Sequence, residues 1–200
     1  MSHYFKNDSN LKHNVENYDV KINETSLRLF TDRGVFSKSG LDYGTRFLLE
    51  TLVIEPHMVH VLDMGCGYGP IGLYLAKTYP FLHVDMADVN TRALDLVNEN
   101  IKTNQVDNVR VFESDLFENI KGQYDMIVTN PPIRAGKKVI FKLYEDAHHY
   151  LKDDGTLAVV IQKKQGAPST YEKLKTLFDI VEVLDKSKGF WAILAKKTKL

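Results

Sequence analysis

The chain has 200 residues, 44% of them hydrophobic and 26% charged, which suits one globular domain with a sizeable core. Its 26 Lys and Arg balance 26 Asp and Glu, so it is not a strongly basic nucleic-acid binder, and any such contact must come from a local patch. No apolar run approaches the roughly 20 residues of a membrane-spanning helix. The polar N-terminus lacks the apolar core of a signal peptide, and one cysteine permits no internal disulfide, so a cytoplasmic protein with no membrane partner is expected.

Residues 18–22 and 26–30 alternate polar and apolar around Asn23-Glu24 and predict a small hairpin. A helix is expected over 42–52. From residue 57 a rhythm begins: strand 57–62, helix 69–78 with Pro70 at its first position, strand 82–87, helix 91–103, strand 109–112, strand 124–129, helix 138–150, strand 156–161 and helix 169–177. Such alternation implies parallel βαβ units with helices on both faces of one sheet. Strands 180–184 and 191–195 are joined only by Asp185-Lys186-Ser187-Lys188-Gly189. That is too short for a parallel crossover, so this pair must be antiparallel. The domain expectation is a single unit over 1–200, with an extension over 1–35 and the core over 36–200.

Asp63-Met64-Gly65-Cys66-Gly67-Tyr68-Gly69 follows the first strand of that series and opens a helix. Glycines allow a tight turn and close approach of backbone to ligand, at the sheet edge where open α/β folds bind ligands. The spacing is G-x-G-x-G, not the G-x-G-x-x-G of a dinucleotide fold. Asp63, two residues earlier, would repel a pyrophosphate and welcome an ammonium. S-adenosylmethionine, with an amino-acid end, fits that better than a nicotinamide dinucleotide. Asp88, beside Val89, ends the next strand and is placed to accept ribose hydroxyls. Asp115 follows the third strand and is placed to accept from an adenine amino group while Leu116 packs on the ring. Cys66 has no base with a claim to it; a small residue between two glycines needs no nucleophilic role. The seven histidines show no metal-ligand spacing, and no metal is expected.

Asn130-Pro131-Pro132-Ile133 ends strand 124–129. Proline has no N–H and pushes the preceding residue toward extended geometry, leaving the Asn130 side chain and nearby carbonyls unpaired at a strand end. They could mark a simple turn, or grip a planar amino group through its two N–H bonds.

Together these blocks resemble the class I S-adenosylmethionine-dependent methyltransferases, and more narrowly the RsmC-like group that methylates guanine N2 of small-subunit ribosomal RNA. Gly34-Val35-Phe36-Ser37 and Leu41-Asp42-Tyr43-Gly44-Thr45 look like the segment that precedes the core in that group, and Gln162-Lys163-Lys164-Gln165-Gly166-Ala167 like one of its loops. The resemblance covers residues 20–197. It implies a Rossmann-like sheet of seven mostly parallel strands, the last antiparallel. It implies a cofactor site at Phe36, Asp42, Gly44, Thr45, Asp63, Gly65, Cys66, Gly67, Asp88, Val89, Asp115, Leu116 and Asn130, with the reacting amino group at Asn130, Pro131, Pro132 and Ile133. Ile133 stands where amino-group methyltransferases usually carry an aromatic ring, a role Phe36 is placed to fill. Arg134, Lys137, Lys138, Lys163 and Lys164 all follow strands running to one sheet edge and are expected to hold RNA phosphates. Longer members of the group carry a second methyltransferase-like domain in front, for which 200 residues leave no room, so RNA recognition would use other surfaces or a homodimer. The expected partner is ribosomal RNA or the small subunit. Adenine N6, a protein glutamine amide, and cofactor binding without catalysis remain alternatives.

Overall fold

A computed structural model describes residues 14–32 and 40–199. The hairpin is β1 (Glu16–Ile22) and β2 (Thr25–Thr31). Then come α1 (Tyr43–Thr51), β3 (His60–Met64), α2 (Pro70–Thr78), β4 (His83–Asp88), α3 (Thr91–Asn104), β5 (Val109–Glu113), β6 (Tyr124–Thr129), α4 (Lys137–Tyr150), β7 (Leu151–Gln162), α5 (Ala167–Lys175), β8 (Ile180–Ser187) and β9 (Phe190–Lys196). The main sheet has seven strands in the order β5-β4-β3-β6-β7-β9-β8. β3 pairs in parallel with β4 and β6, β4 with β5, and β6 with β7, while β9 runs antiparallel to both β7 and β8. This is the Rossmann-like arrangement expected, with the last strand inserted antiparallel.

Alternation along the strands builds two cores. Val61, Met126, Val128, Ala158 and Val160 face one layer, packed with Leu48 of α1, Leu73 of α2, Val97 of α3 and the hairpin. Their neighbours Leu62, Ile127, Leu157, Val159 and Ile161 face the other, packed with Leu143 and Tyr144 of α4 and Leu174 of α5. A period of two is what a strand buried on both faces requires.

The hairpin docks on α3 through two asparagines. Asn100 Oδ1 accepts from the Phe30 N–H at 2.7 Å, and its Nδ2 donates to the Phe30 carbonyl at 3.1 Å. Asn104 repeats the pattern with Arg28 at 3.0 and 2.7 Å. Four helical residues rise about 6 Å and two strand residues about 6.7 Å, so carboxamides at i and i+4 match N–H and C=O groups at j and j+2. The helix thus completes the free edge of β2, which would otherwise invite pairing with another chain.

The strand expected over 57–62 is β3, His60–Met64, and the helix expected over 169–177 is α5, Ala167–Lys175; two strands also run well past their expected bounds. β7 begins at Leu151, not Thr156, because its polar start is a bulge: pairing with β6 shifts register between Tyr124 and Met126. Asp154 takes φ +63° there. A Cβ on Gly155 would stand 2.9 Å from the Lys152 carbonyl oxygen and 3.1 Å from that of Tyr124. The β8–β9 connection is only Lys188-Gly189, at φ +45° and +80°, not the five residues from Asp185. Two positive φ values give the turn that matches strand twist, so the strands persist through polar residues.

Candidate active site

The site lies along the C-terminal edge of four adjacent strands. In sheet order β5, β4, β3, β6, those strands end within two residues of Asp115, Asp88, Asp63 and Asn130. Chain order is 63, 88, 115, 130; the parallel pairing puts the groups in a row at about 4.8 Å per strand. The three acids and the Asn130 motif are therefore brought together.

Asp63, the penultimate residue of β3, is fully buried. Its Oδ2 accepts the Gly72 N–H at 2.8 Å, while Oδ1 is buried without a partner. Burial pushes its carboxyl up to about 7, opposed by the Gly72 N–H and reinforced by the charge of Asp88. An unpaired buried carboxylate oxygen is costly and is a ready acceptor for a cationic group.

Asp88 has more structural work than expected. Its Oδ2 accepts the Gly67 N–H at 2.8 Å and its Oδ1 the Asn90 N–H at 2.9 Å, so it shapes the glycine loop; Val89 beside it is half-buried. The N–H groups of Gly65 and Cys66 both donate to the Ala87 carbonyl, at 2.8 and 3.0 Å. Gly65 and Gly67 take φ +72° and +56°, and a Cβ on Gly65 would meet nothing within 4 Å, which leaves open space for a ligand at the turn. Cys66 is buried and its thiol is held well above the usual range by burial, then by the charges of Asp63 and Asp88; it is no nucleophile. Asp115 is exposed, and Leu116, at φ +49°, is half-buried against the second core. Ser114 Oγ holds that strained turn by donating to the Leu116 carbonyl at 2.7 Å.

At the end of β6, the Asn130 Nδ2 donates to Asp42 Oδ1 at 3.3 Å and Thr45 Oγ1 at 3.1 Å. A carboxylate only accepts, so the amide nitrogen must face Asp42 and its oxygen the other way. Asp42 is itself fixed as the N-cap of α1, accepting from the Thr45 N–H at 3.0 Å. A Cβ on Gly44 would stand 2.8 Å from the Phe190 ring, so glycine lets this turn seat against β9. Pro131 is buried and Pro132 half-buried; Ile133 opens a short 3₁₀ turn, Ile133–Ala135, and leans on the second core. Arg134, Lys137, Lys138, Lys163 and Lys164 are exposed after β6 and β7 at the same edge. Phe36 lies outside the described residues.

Sequence reasoning missed Asn100 and Thr129. Besides the hairpin bonds, Asn100 Nδ2 donates to the Tyr68 carbonyl of the glycine loop at 2.9 Å. Thr129 Oγ1 donates to the Met64 carbonyl at 2.8 Å, locking the ends of β6 and β3 together. Neither residue type announces such a role in the sequence. Among the described residues no cluster of three or more His, Cys, Asp or Glu is arranged to hold a metal ion, and no helix is long and apolar enough to cross a membrane.

This geometry has close relatives. YbxB of Bacillus subtilis (strain 168) is 45% identical over 98% of each chain. The ribosomal RNA small subunit methyltransferases C of Psychromonas ingrahamii and Pasteurella multocida are 35% and 34% identical over 74% and 86% of this chain. The chain spans about half the length of those two, 43% and 49%. Among solved structures, the T. thermophilus 16S rRNA N2 G1207 methyltransferase (RsmC), in complex with AdoMet and guanosine, superposes with a TM-score of 0.80 at 23% identity, over 92% of this chain and 50% of that one. The methyltransferase small domain model matches residues 26–194, and the chain belongs to that family.

Proposed function

We propose that this protein transfers a methyl group from S-adenosylmethionine to an exocyclic amino nitrogen of a nucleobase, guanine N2 of ribosomal RNA. The observation that carries this reading is the orientation of Asn130. With its nitrogen committed to Asp42 and Thr45, its Oδ1 has no protein donor among the described residues. The Pro131 carbonyl likewise accepts no bond among them. Two acceptors at one strand end suit the two N–H bonds of an amino group.

The row of acids suits the cofactor. Asp63 Oδ1 would take the ammonium, Gly65 and Gly67 would let the backbone approach, and Asp88 and Asp115 would take the ribose and adenine. When bound, S-adenosylmethionine supplies an activated methyl carbon, and the protein supplies position and electrostatics. The Asn130 and Pro131 oxygens would draw the amino nitrogen toward tetrahedral geometry and stabilise the positive charge that develops on it. No strong base is required, because the cationic product loses its proton readily.

Relatives named ribosomal RNA small subunit methyltransferase C support ribosomal RNA as substrate, and the T. thermophilus structure named for N2 of G1207 supports guanine N2; a cytoplasmic setting suits that substrate. Ile133 in place of a ring keeps adenine N6 and a glutamine amide as competing products, separable by digesting labelled RNA and protein. Asn130→Ala is expected to lower turnover on ribosomal RNA about 100-fold while S-adenosylmethionine affinity by titration changes little. Retained turnover would sink the assignment.

A further inference from the structure

The β8–β9 corner, the last residues of β8 with the two-residue turn, carries two lysines that the reading above does not use. Lys186 Nζ lies 3.9 Å from the centre of the Trp191 ring, and Lys188 Nζ lies 4.5 Å from that of Tyr43. Trp191 packs into the core layer of α4 and α5, and Tyr43 into that of α1, so the corner presents one ring-backed cation on each face of the sheet. An aromatic face restricts a lysine's rotamers without neutralising its charge.

This corner is fastened to the site. Tyr43 Oη donates to Ser187 Oγ at 2.7 Å, and Tyr43 is the neighbour of Asp42, which holds Asn130. The Lys163 N–H donates to the Gly189 carbonyl at 2.6 Å, so Lys163 and Lys164 stand beside the same turn. Several lysines elsewhere are matched with acids, among them Lys152 with Asp125, Lys173 with Glu145 and Lys196 with Asp154. Lys163, Lys164, Lys186 and Lys188 are exposed and enter no ion pair among the described residues. The nearest acid in sequence, Asp185, turns its carboxylate onto the Lys186 N–H at 2.7 Å. In a chain of zero net charge, that corner is a concentrated cationic edge.

We propose that the β8–β9 corner is a phosphate-docking site for the RNA strand flanking the target nucleotide, with Lys186 of β8 and Lys188 of the turn contacting phosphates on its two sides. The proposal rests on the nucleobase reading above. It is tested by anisotropy titration of the full chain with a labelled single-stranded RNA of about 20 nucleotides, across salt concentrations. Each phosphate contact on a single strand contributes about 0.7 to the slope of log affinity against log salt. The Lys186→Gln/Lys188→Gln variant is expected to lose about 1.4 of slope and bind about tenfold more weakly at low salt. Lys186→Arg/Lys188→Arg keeps charge and ring contact and should restore both. Lys102→Gln/Lys121→Gln, an equal charge change at the opposite sheet edge, should match wild type. Unchanged slope in the first variant, with wild type still binding and methylating RNA, overturns the docking site alone. Failure of wild type to bind any RNA overturns the nucleobase reading and the docking site with it.

Discussion

A buried carboxylate with an unpaired oxygen is an unusual thing to keep, and Asp63 is one. Its raised carboxyl, pushed to about 7 from an ordinary 3.8 chiefly by burial, means that the folded protein binds a proton there that the unfolded chain releases. Between those values, stability from this group falls as pH rises, the reverse of a salt-bridged acid. A cation seated on Oδ1 favours the ionised form. S-adenosylmethionine binding should therefore release a proton near pH 6 and little at pH 8, with affinity weakening about tenfold per unit below about 7. Calorimetry in buffers of different ionisation enthalpy measures that proton; no difference between buffers at pH 6 would show that Asp63 does not meet a charge. The presence of an acid before the glycines was legible in the sequence. Its orphaned oxygen was not, because that depends on the Gly72 N–H of α2 occupying the other oxygen and on the burial of the residue in the folded sheet.

The hairpin and α3 form the element most open to test. Asn100 is fully buried and joins three backbone groups: the Phe30 N–H, the Phe30 carbonyl and the Tyr68 carbonyl. Asn100→Leu leaves all three without partners, at about 1 kcal/mol or more each. A loss of roughly 3 kcal/mol is expected, or a Tm lower by about 6–12 °C for a chain of this size. Because Tyr68 sits between Gly67 and Gly69, cofactor affinity should fall as well, which truncation of an ordinary core residue would not cause. Melting curves with and without S-adenosylmethionine read both effects. Periodicity found the helix and the hairpin, since both carry amphipathic patterns. It could not find their union, because Asn100 and Asn104 look like solvated polar residues until β2 is laid against them. Polar residues misled in the same way at 152–155 and 185–188, where a bulge and a twist-matched turn extend strands past their apolar runs.

For the whole molecule, the sheet order is what turns separate motifs into one site. A row of carboxylates along β5, β4 and β3 disfavours a pyrophosphate and favours an elongated ligand with a cationic end. S-adenosylmethionine at about 100 times its Kd should stabilise the protein by about 2.7 kcal/mol, a Tm rise of about 5–10 °C. NAD at the same concentration should give no shift. The opposite ranking in a thermal-shift assay would overturn the cofactor reading. The chain's neutral charge belongs to this scale too: balanced overall, it is unbalanced at the edge after β6 and β7, where the exposed cations gather.

The sequence by itself determined the class of fold, the glycine turn, the acids and the Asn130 motif, because these are local: strand and helix periods, proline and glycine backbone limits, and charge at fixed spacing. Only the tertiary structure decided how they act together. Register placed residues 63, 88, 115 and 130 on neighbouring strand ends, Asp42 came across to orient the Asn130 amide, and Asn100 tied the hairpin to the glycine loop. Such contacts pair groups far apart in the chain, and hydrogen-bond geometry between them exists only once the sheet order is set.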